Sequence, residues 1–176
     1  VWERFNREDR LARELQTTPL EVESRIHGLQ EELDGLKREN EAVGRRLSLQ
    51  AAEGLLDQTE QVDGVTVLAT KASASSVDSL REMGDWLRDK LGSGIVVLGA
   101  VFNERPMVVA MVTPDLVDKG FSAGDIVKAA AAAMGGGGGG RPNSAQAGGK
   151  DPAQLPAALA AAVVAVAAAS AQGKES

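Results

Sequence analysis

The chain contains no cysteine and one histidine among its 176 residues. Without cysteine it cannot build a disulfide framework or a zinc site of the cysteine type. Because His27 is the sole histidine, paired-histidine and His–Cys–Asp metal clusters are excluded as well. We therefore expect no metal site in the chain. The lack of cysteine suits a reducing compartment, and we predict a cytoplasmic location.

The sequence also contains no apolar run of membrane-spanning length. Residues 1–4 are charged and show no hydrophobic region of a signal peptide. The longest apolar run, residues 155–169, is mostly alanine and is shorter than the roughly 18 residues that a membrane span needs. We expect it to form a packed helix, with no membrane partner. Since no initiator Met is present, we expect the sequence to be a piece of a longer chain.

Acidic residues outnumber basic ones, and the net charge is −6. Bulk basicity therefore cannot attract nucleic acid, and any such contact must be local and depend on shape. With 43% hydrophobic and 25% charged residues the composition is globular. The length allows one domain plus an appendage.

Apolar residues recur with a heptad period between Val22 and Leu47. This pattern predicts a long helix of the coiled-coil type, starting after a capping box of Thr18, Pro19 and Glu21. A short helix over residues 1–15, with Trp2 and Phe5 on its apolar side, precedes it, and together they form a helical arm over residues 1–59. We assign the heptad positions to dimerisation: Ile26, Leu29, Leu33, Leu36, Asn40, Val43 and Leu47.

Two ways of burying this heptad face, alone or together, stay open. The short helix could pack on it as a hairpin, or a second copy of the chain could cover it. Because residues 1–15 are too few to cover the face from end to end, we favour the dimer. Asn40 at a core position is typical of residues that fix register and strand number.

Residues 60–176 show the pattern of a mixed α/β domain. Strands are predicted over residues 65–70, 95–102 and 107–112. Ser76 is expected to cap a helix that runs to about residue 91, and residues 122–125 to start another over 126–134. A glycine-rich loop over residues 135–149 then leads to a last helix capped by Asp151. The order β-α-β-β-α-loop-α predicts a mixed sheet with helices packed on it.

The glycine-rich loop is the strongest candidate for a binding site. It lies between two helices of one domain, which argues against a linker, and its glycines leave room for a ligand to approach the backbone. A dinucleotide is excluded because the loop follows a helix and Asp151 occupies the next helix start. The candidate binding residues are Lys128, Gly135, Gly136, Gly138, Gly139, Gly140, Arg141, Asn143, Gln146, Gly148, Gly149 and Lys150.

No catalytic constellation is present. Asp78, Asp85 and Asp89 share a helix, but no nucleophile or metal ligand accompanies them, and helix caps or a solvated face explain them better. Arg141 offers a planar fork for phosphate, and Asn143 and Gln146 offer amides for a base or ribose. These are the requirements of a shape-dependent RNA surface.

The motif G-G-x-G-G-G-R-P-x-x-A-Q-A-G-G at residues 135–149, followed by Leu-Pro-Ala-Ala-Leu, closely resembles the C-terminal end of alanyl-tRNA synthetases. Residues 89–99 are similar to the second-strand region of the same family, whose domain is shared with DHH-type phosphoesterases. The chain thus resembles the C-terminal, DHH-associated domain of these ligases with its helical part. One departure is Gly137, where the family usually has a basic residue.

This resemblance implies a region that binds the outer corner of tRNA(Ala) and dimerises through its helical part. Aminoacylation and editing domains, with ATP, Mg and Zn, would belong to the parent chain, and this fragment would hold no catalytic centre or cofactor. Two alternatives stay open. One is the substrate-binding domain of a DHH-type phosphoesterase acting on short oligonucleotides, and the other is a purely structural dimerisation module.

Overall fold

A computed structural model describes residues 2–173 of the chain, with side chains described from Arg7 to Gln172. Its contacts divide the chain into two compact units, Val1–Val43 and Gly44–Ser176. Trp2 and Phe5, predicted to lie on the apolar side of the first helix, fall outside the described side chains.

The first unit contains helix α1 (Trp2–Glu14) and most of helix α2 (Val22–Leu55). Between them, Pro19–Glu21 forms a single 3-10 turn with Pro19 at its first position, as predicted. The capping box differs in detail, because the Thr18 hydroxyl donates to Glu21 Oε2 at 2.8 Å and makes no bond to the backbone. Hydrogen bonds from Thr18 and then Thr17 lower the pKa of Glu21.

Helix α2 confirms the long helix that the heptad period predicts. Its heptad face is largely exposed, with Leu33 at 52%, Leu36 at 57% and Leu47 at 60% of full exposure. Towards its end, Ser48 and Ala52 are buried within the second unit. The last turns of α2 therefore pack with the globular part, although the sequence pattern assigned them to the arm. Small side chains at these two positions permit that close packing.

The second unit is built on a six-stranded mixed sheet. The strands are β1 (Glu60–Val62), β2 (Val65–Lys71), β3 (Ile95–Phe102), β4 (Arg105–Val112), β5 (Gly137–Gly140) and β6 (Ser144–Gly148). Their order across the sheet is β1-β2-β3-β4-β6-β5. Only the β2–β3 pair is parallel. The mixed α/β fold expected from the sequence is confirmed.

Four helices complete this unit: α3 (Val77–Leu91), α4 (Pro114–Asp118), α5 (Ala123–Ala133) and α6 (Leu155–Gly173). At three predicted helix starts, a side chain caps the helix by accepting a backbone hydrogen bond. The Ser76 hydroxyl accepts from the Ser79 N–H, the Ser122 hydroxyl from the Asp125 N–H, and the Asp151 carboxylate from the Ala153 N–H. Gly92 ends α3 at a φ of +70°, a conformation that favours glycine.

The core lies on both faces of the sheet. On one face, Val97, Val108 and Ala145 pack with α5 and α6. On the other, Leu98 and Met111 pack with α3 and the end of α2. Gly84 of α3 allows close approach, since a Cβ there would lie 3.2 Å from Met111 Cγ. The sheet therefore forms the middle of three layers.

Helix α6 forms part of this core. By length and composition alone, Pro152–Gln172 would be apolar enough to cross a membrane. Leu155, Ala158, Ala162 and Val166 on one stripe of the helix are fully buried in the core shared with α5. This packing explains the apolar stripe within the domain, as the sequence predicts.

Two features of the sheet differ from the prediction. The short strand β1 was not predicted, and it pairs with β2 through a two-residue turn in which Asp63 and Gly64 both have positive φ. The glycine-rich stretch is not an irregular loop but contains the two strands β5 and β6. Glycine has no side chain to show an alternating apolar pattern, so this pairing left no period in the sequence.

Candidate nucleic-acid interface

The hairpin of β5 and β6, residues 137–148, forms one edge of the sheet. β6 pairs with β4 from Met107↔Gly148 to Met111↔Ser144, and β5 then pairs with β6 from Gly137↔Gly148 to Gly140↔Ala145. The turn between the strands is closed by two backbone hydrogen bonds between Arg141 and Ser144. We call residues 137–148 the glycine hairpin.

Every second glycine is held in close packing. A Cβ at Gly138 would strike Ala147 and lie 2.5 Å from the Gln146 carbonyl oxygen, and one at Gly140 would lie 2.6 Å from Ala145 Cα. Gly136, just before β5, would strike the Gly148 backbone. No flexible side-chain end is involved, so the backbone itself would have to move. These glycines are needed for pairing with β6.

The intervening glycines face open space. A Cβ at Gly137 or Gly139 would meet nothing within 4 Å. Ala145 and Ala147 of β6 point into the core with α5, whereas Gln146 between them is exposed. The hairpin therefore has one packed face, against α5, and one open face that carries backbone and a polar side chain.

A groove of about 470 Å³ lies at this open face. Its lining residues come from the hairpin and from α3: Arg81, Gly139, Gly140, Arg141, Asn143, Ser144, Ala145 and Gln146. Two guanidinium groups, two amide side chains and glycine backbone are thus brought together. Such a set can hold an anion and donate to or accept from ribose and base edges.

The two arginines of the groove form no ion pair within the part of the chain whose side chains the structure describes. Among residues 7–172, no carboxylate pairs with Arg81 or Arg141, and neither side chain has a hydrogen bond. Arg88, further along α3, shows the opposite arrangement, with Nη1 2.8 Å from Asp85 and Nη2 2.9 Å from Asp89. The two groove arginines are therefore available to an external anion, whereas Arg88 already has two carboxylate partners.

The structure brings five of the predicted binding residues to the groove: Gly139, Gly140, Arg141, Asn143 and Gln146. Lys128 does not line it, because it lies on α5, where its Nζ is 3.2 Å from Asp125 Oδ1. Lys150 is exposed beyond the end of β6 and does not line it either.

The remaining glycines of the predicted set have conformational or packing roles. Gly135 ends α5 at a φ of +62°, and Gly136 and Gly138 lie against β6. A Cβ at Gly148 would lie 3.1 Å from Met107 Sδ, and one at Gly149 would strike Met134. These positions shape the hairpin and do not line the groove.

Arg81 is the lining residue that the sequence did not reveal. It lies on the exposed side of α3, next to the buried Leu80, and is far from the glycine-rich stretch in the chain. Spacing along α3 shows that Arg81 is exposed, but only the parallel crossover and the order of the strands bring it beside Gln146.

Among the side chains that the structure describes, the carboxylates of the second unit form no metal-binding cluster. Within residues 2–173 no three His, Cys, Asp or Glu side chains are clustered. Asp85 and Asp89 are paired with Arg88, and Asp115 accepts from the Ser93 hydroxyl at 2.5 Å. Hydrogen bonds from Ser93 and then Thr113 lower the pKa of Asp115. These carboxylates therefore interact with neighbouring groups of the fold itself.

Comparison with protein-family models finds a match to the DHHA1 domain over residues 63–168. The chain is 48% identical over 149 residues to an alanine–tRNA ligase of Pelotomaculum thermopropionicum and 49% identical over 148 residues to that of Bacillus subtilis. These matches cover 85% and 84% of this chain and 17% of each relative. The chain thus spans about a sixth of the length of these curated relatives.

Among solved structures, the fold matches the C-Ala domain of Aquifex aeolicus alanyl-tRNA synthetase. The TM-score is 0.56 at 25% sequence identity, and the match covers 62% of this chain and 97% of that domain. Sequence and structure comparisons therefore agree on one kind of domain.

Proposed function

Because the chain belongs to the DHHA1 domain family, we propose that it is the C-terminal tRNA-binding region of an alanine–tRNA ligase. The two ligases described above and the C-Ala domain support this assignment. Aminoacylation and editing centres, with ATP, Mg and Zn, would lie in other domains of the parent chain. The fragment itself would hold no catalytic centre, and its place of action would be the cytoplasm.

The open face of the glycine hairpin is the observation that supports RNA binding. Gly139 leaves space in the groove for a broad, flat ligand, while Arg141, Asn143 and Gln146 supply a fork for phosphate and amides for ribose or base. Because the chain is acidic overall, binding would depend on this local chemistry and on shape. A folded RNA meets that requirement better than an extended strand.

The proposed RNA feature is the outer corner, or elbow, of tRNA(Ala). Gripping the elbow would leave the acceptor end free for the aminoacylation and editing centres of the parent chain. The test compares binding of the chain to folded tRNA(Ala) and to a minihelix that carries the acceptor stem without the elbow. We expect clear binding to the tRNA and much weaker binding to the minihelix. Equal binding to both would contradict the elbow assignment.

A substitution of Arg141 tests whether the groove binds RNA. We expect Arg141→Ala to weaken tRNA binding and to lower its salt dependence by about one ion, since one phosphate contact is removed. Binding is measured over a series of salt concentrations. An unchanged affinity and slope would show that the groove is not the RNA site.

Dimerisation through α2 is the second part of the proposal. The heptad face exposes several large apolar side chains, which a second copy of the chain would bury. We expect Leu33→Asp with Leu36→Asp to shift sedimentation from dimer to monomer. Arg38→Asp is the control, because it changes the net charge by the same amount at an outward heptad position. An unchanged mass for the double variant would contradict dimerisation through this face.

One enzymatic result would contradict the proposal that this chain holds no catalytic centre. Metal-dependent release of mononucleotides from short RNA by the purified chain would favour the phosphoesterase alternative. We expect no release, because within residues 2–173 no carboxylate and histidine cluster is placed to hold catalytic metal.

A further inference from the structure

The groove draws its two guanidinium groups from distant parts of the chain. Arg141 belongs to the turn of the glycine hairpin, and Arg81 to the second turn of α3. Gly139, Gly140 and Gln146 line the groove together with them. Arg81 is not among the residues that the glycine-rich motif identifies.

Two positive charges that line one groove repel each other, and an anion bound between them would relieve that repulsion. Within residues 7–172 no carboxylate pairs with either arginine, so the protein does not supply that anion. A guanidinium fork matches the geometry of a phosphodiester, and hydrogen bonds of this kind are stronger than neutral ones. The open backbone at Gly139 would let a ribose approach closely.

We propose that Arg81 is a further RNA-binding residue, which holds a backbone phosphodiester in the groove together with Arg141. Gln146 and Asn143 then contact the adjacent ribose or base. This inference rests on the proposed tRNA-binding function and adds a residue from outside the glycine-rich motif. It makes α3 part of the binding surface.

The same geometry decides from which side the RNA approaches. The packed face of the hairpin lies against α5, through Ala145 and Ala147, and is closed to a ligand. Lys128 of α5 is paired with Asp125 and does not line the groove. RNA therefore lies on the α3 side of the hairpin, and Lys128 makes no more than a minor contribution.

The experiment measures binding of folded, transcribed tRNA(Ala) to the full chain and to four variants over a series of salt concentrations. The variants are Arg81→Ala, Arg141→Ala, Lys128→Ala and Arg88→Ala. Arg88→Ala is the matched control, since it removes the same side chain from the same helix where Asp85 and Asp89 already neutralise it. Thermal unfolding verifies that each variant folds, and alanine suits the helix at residue 81.

We expect Arg81→Ala to weaken binding about fivefold to tenfold, like Arg141→Ala, and to lower the salt dependence by about one ion. Lys128→Ala and Arg88→Ala should stay within about twofold of the unsubstituted chain. Arg81→Lys should restore the salt dependence but only part of the affinity, because lysine keeps the charge and lacks the fork.

Three results would overturn the inference. If Arg81→Ala matches Arg88→Ala while Arg141→Ala weakens binding, Arg81 does not bind RNA and the proposed function stands. If Lys128→Ala weakens binding as much as Arg81→Ala, the RNA does not lie on the α3 side alone. If the unsubstituted chain does not bind tRNA, both the inference and the proposed function fail.

Discussion

Glycine recurs in two regions of this molecule, and its surroundings differ completely between them. In helix α2, a Cβ at Gly28, Gly35 or Gly54 would meet nothing within 4 Å. Before and within strand β5, a Cβ at Gly136, Gly138 or Gly140 would strike the backbone of the following strand. The glycines of the helix make no close contact, whereas those of the hairpin permit the close approach of strands β5 and β6.

The difference shows that glycine content alone does not indicate flexibility. Each glycine inside a helix costs about 1 kcal/mol relative to alanine, so α2 is weakened at these positions without a packing gain in this chain. The hairpin glycines carry an entropic cost of about the same size, yet there the missing side chain allows β5 and β6 to pair. Within β5 the roles alternate, since Gly137 and Gly139 face open space.

The largest expected effect comes from a methyl group on the packed face. Gly138→Ala should destabilise the second unit by about 3 kcal/mol or more, because the new Cβ would lie 2.5 Å from the Gln146 carbonyl oxygen. Denaturant unfolding measures this change. Gly139→Ala, one residue away on the open face, is the control and should be nearly neutral. Equal stability of the two variants would contradict the alternation.

A gain of stability is expected from the helical region. Gly35→Ala should stabilise α2 by about 1 kcal/mol, since the added methyl meets no neighbour and alanine is the better helix former. Ala42→Gly, at an exposed position of the same helix, should have the opposite effect. Thermal melting followed by circular dichroism measures the change in helix stability of both variants. A loss of helix in Gly35→Ala would mean that this glycine has a packing role after all.

Gly137 offers a smaller, functional test of the open face. Gly137→Arg should strengthen tRNA binding about twofold to fivefold and leave stability unchanged, because the side chain extends into open space and adds a positive charge on a strand that lines the groove. Gly137→Ala separates the effect of the added charge from that of the lost glycine and should leave the affinity unchanged. Weaker binding by the arginine variant would mean that RNA contacts the backbone at residue 137 directly.

The smallest effect concerns two exposed carboxylates, one in each of the two compact units. The pKa of Glu21 is lowered mainly by Thr18, and that of Asp115 mainly by Ser93. A lowered pKa in the folded state contributes stability above the ordinary value, and this contribution is lost as the pH falls through the lowered value. Thr18→Ala and Ser93→Ala should each raise the pKa of their own carboxylate towards its ordinary value of 4.5 or 3.8.

NMR titration of each carboxylate measures these shifts. The pKa of the other carboxylate is the internal control, because Glu21 and Asp115 share no hydrogen-bond partner. If neither substitution moves the pKa of its own carboxylate, the hydroxyls are not the cause of the lowering.

Much of the fold follows from local patterns. The heptad period predicted α2, apolar runs predicted β2, β3 and β4, and Ser76, Ser122 and Asp151 marked helix starts that the structure shows. These signals act over a few residues, through backbone caps and side-chain periodicity, so they can be read from the sequence. Strand β1 was missed because it has three residues, too few to show a period.

The lining of the candidate groove was predicted in part. The motif supplied Gly139, Gly140, Arg141, Asn143 and Gln146, all of which line the groove. It also suggested Lys128, which lies on the helix of the packed face and pairs with Asp125. Arg81 was missed because no pattern within α3 distinguishes it from any other exposed basic residue.

The sequence by itself determined the helices, three central strands, the lack of cysteine chemistry and the resemblance to one family of domains. Only the tertiary structure decided which glycines pack and which lie open, and which arginines share a groove. The physical reason is that periodicity and caps report on neighbours along the chain. Glycine has no side chain to report its surroundings, and the meeting of Arg81 with Arg141 depends on how the strands are ordered in the sheet.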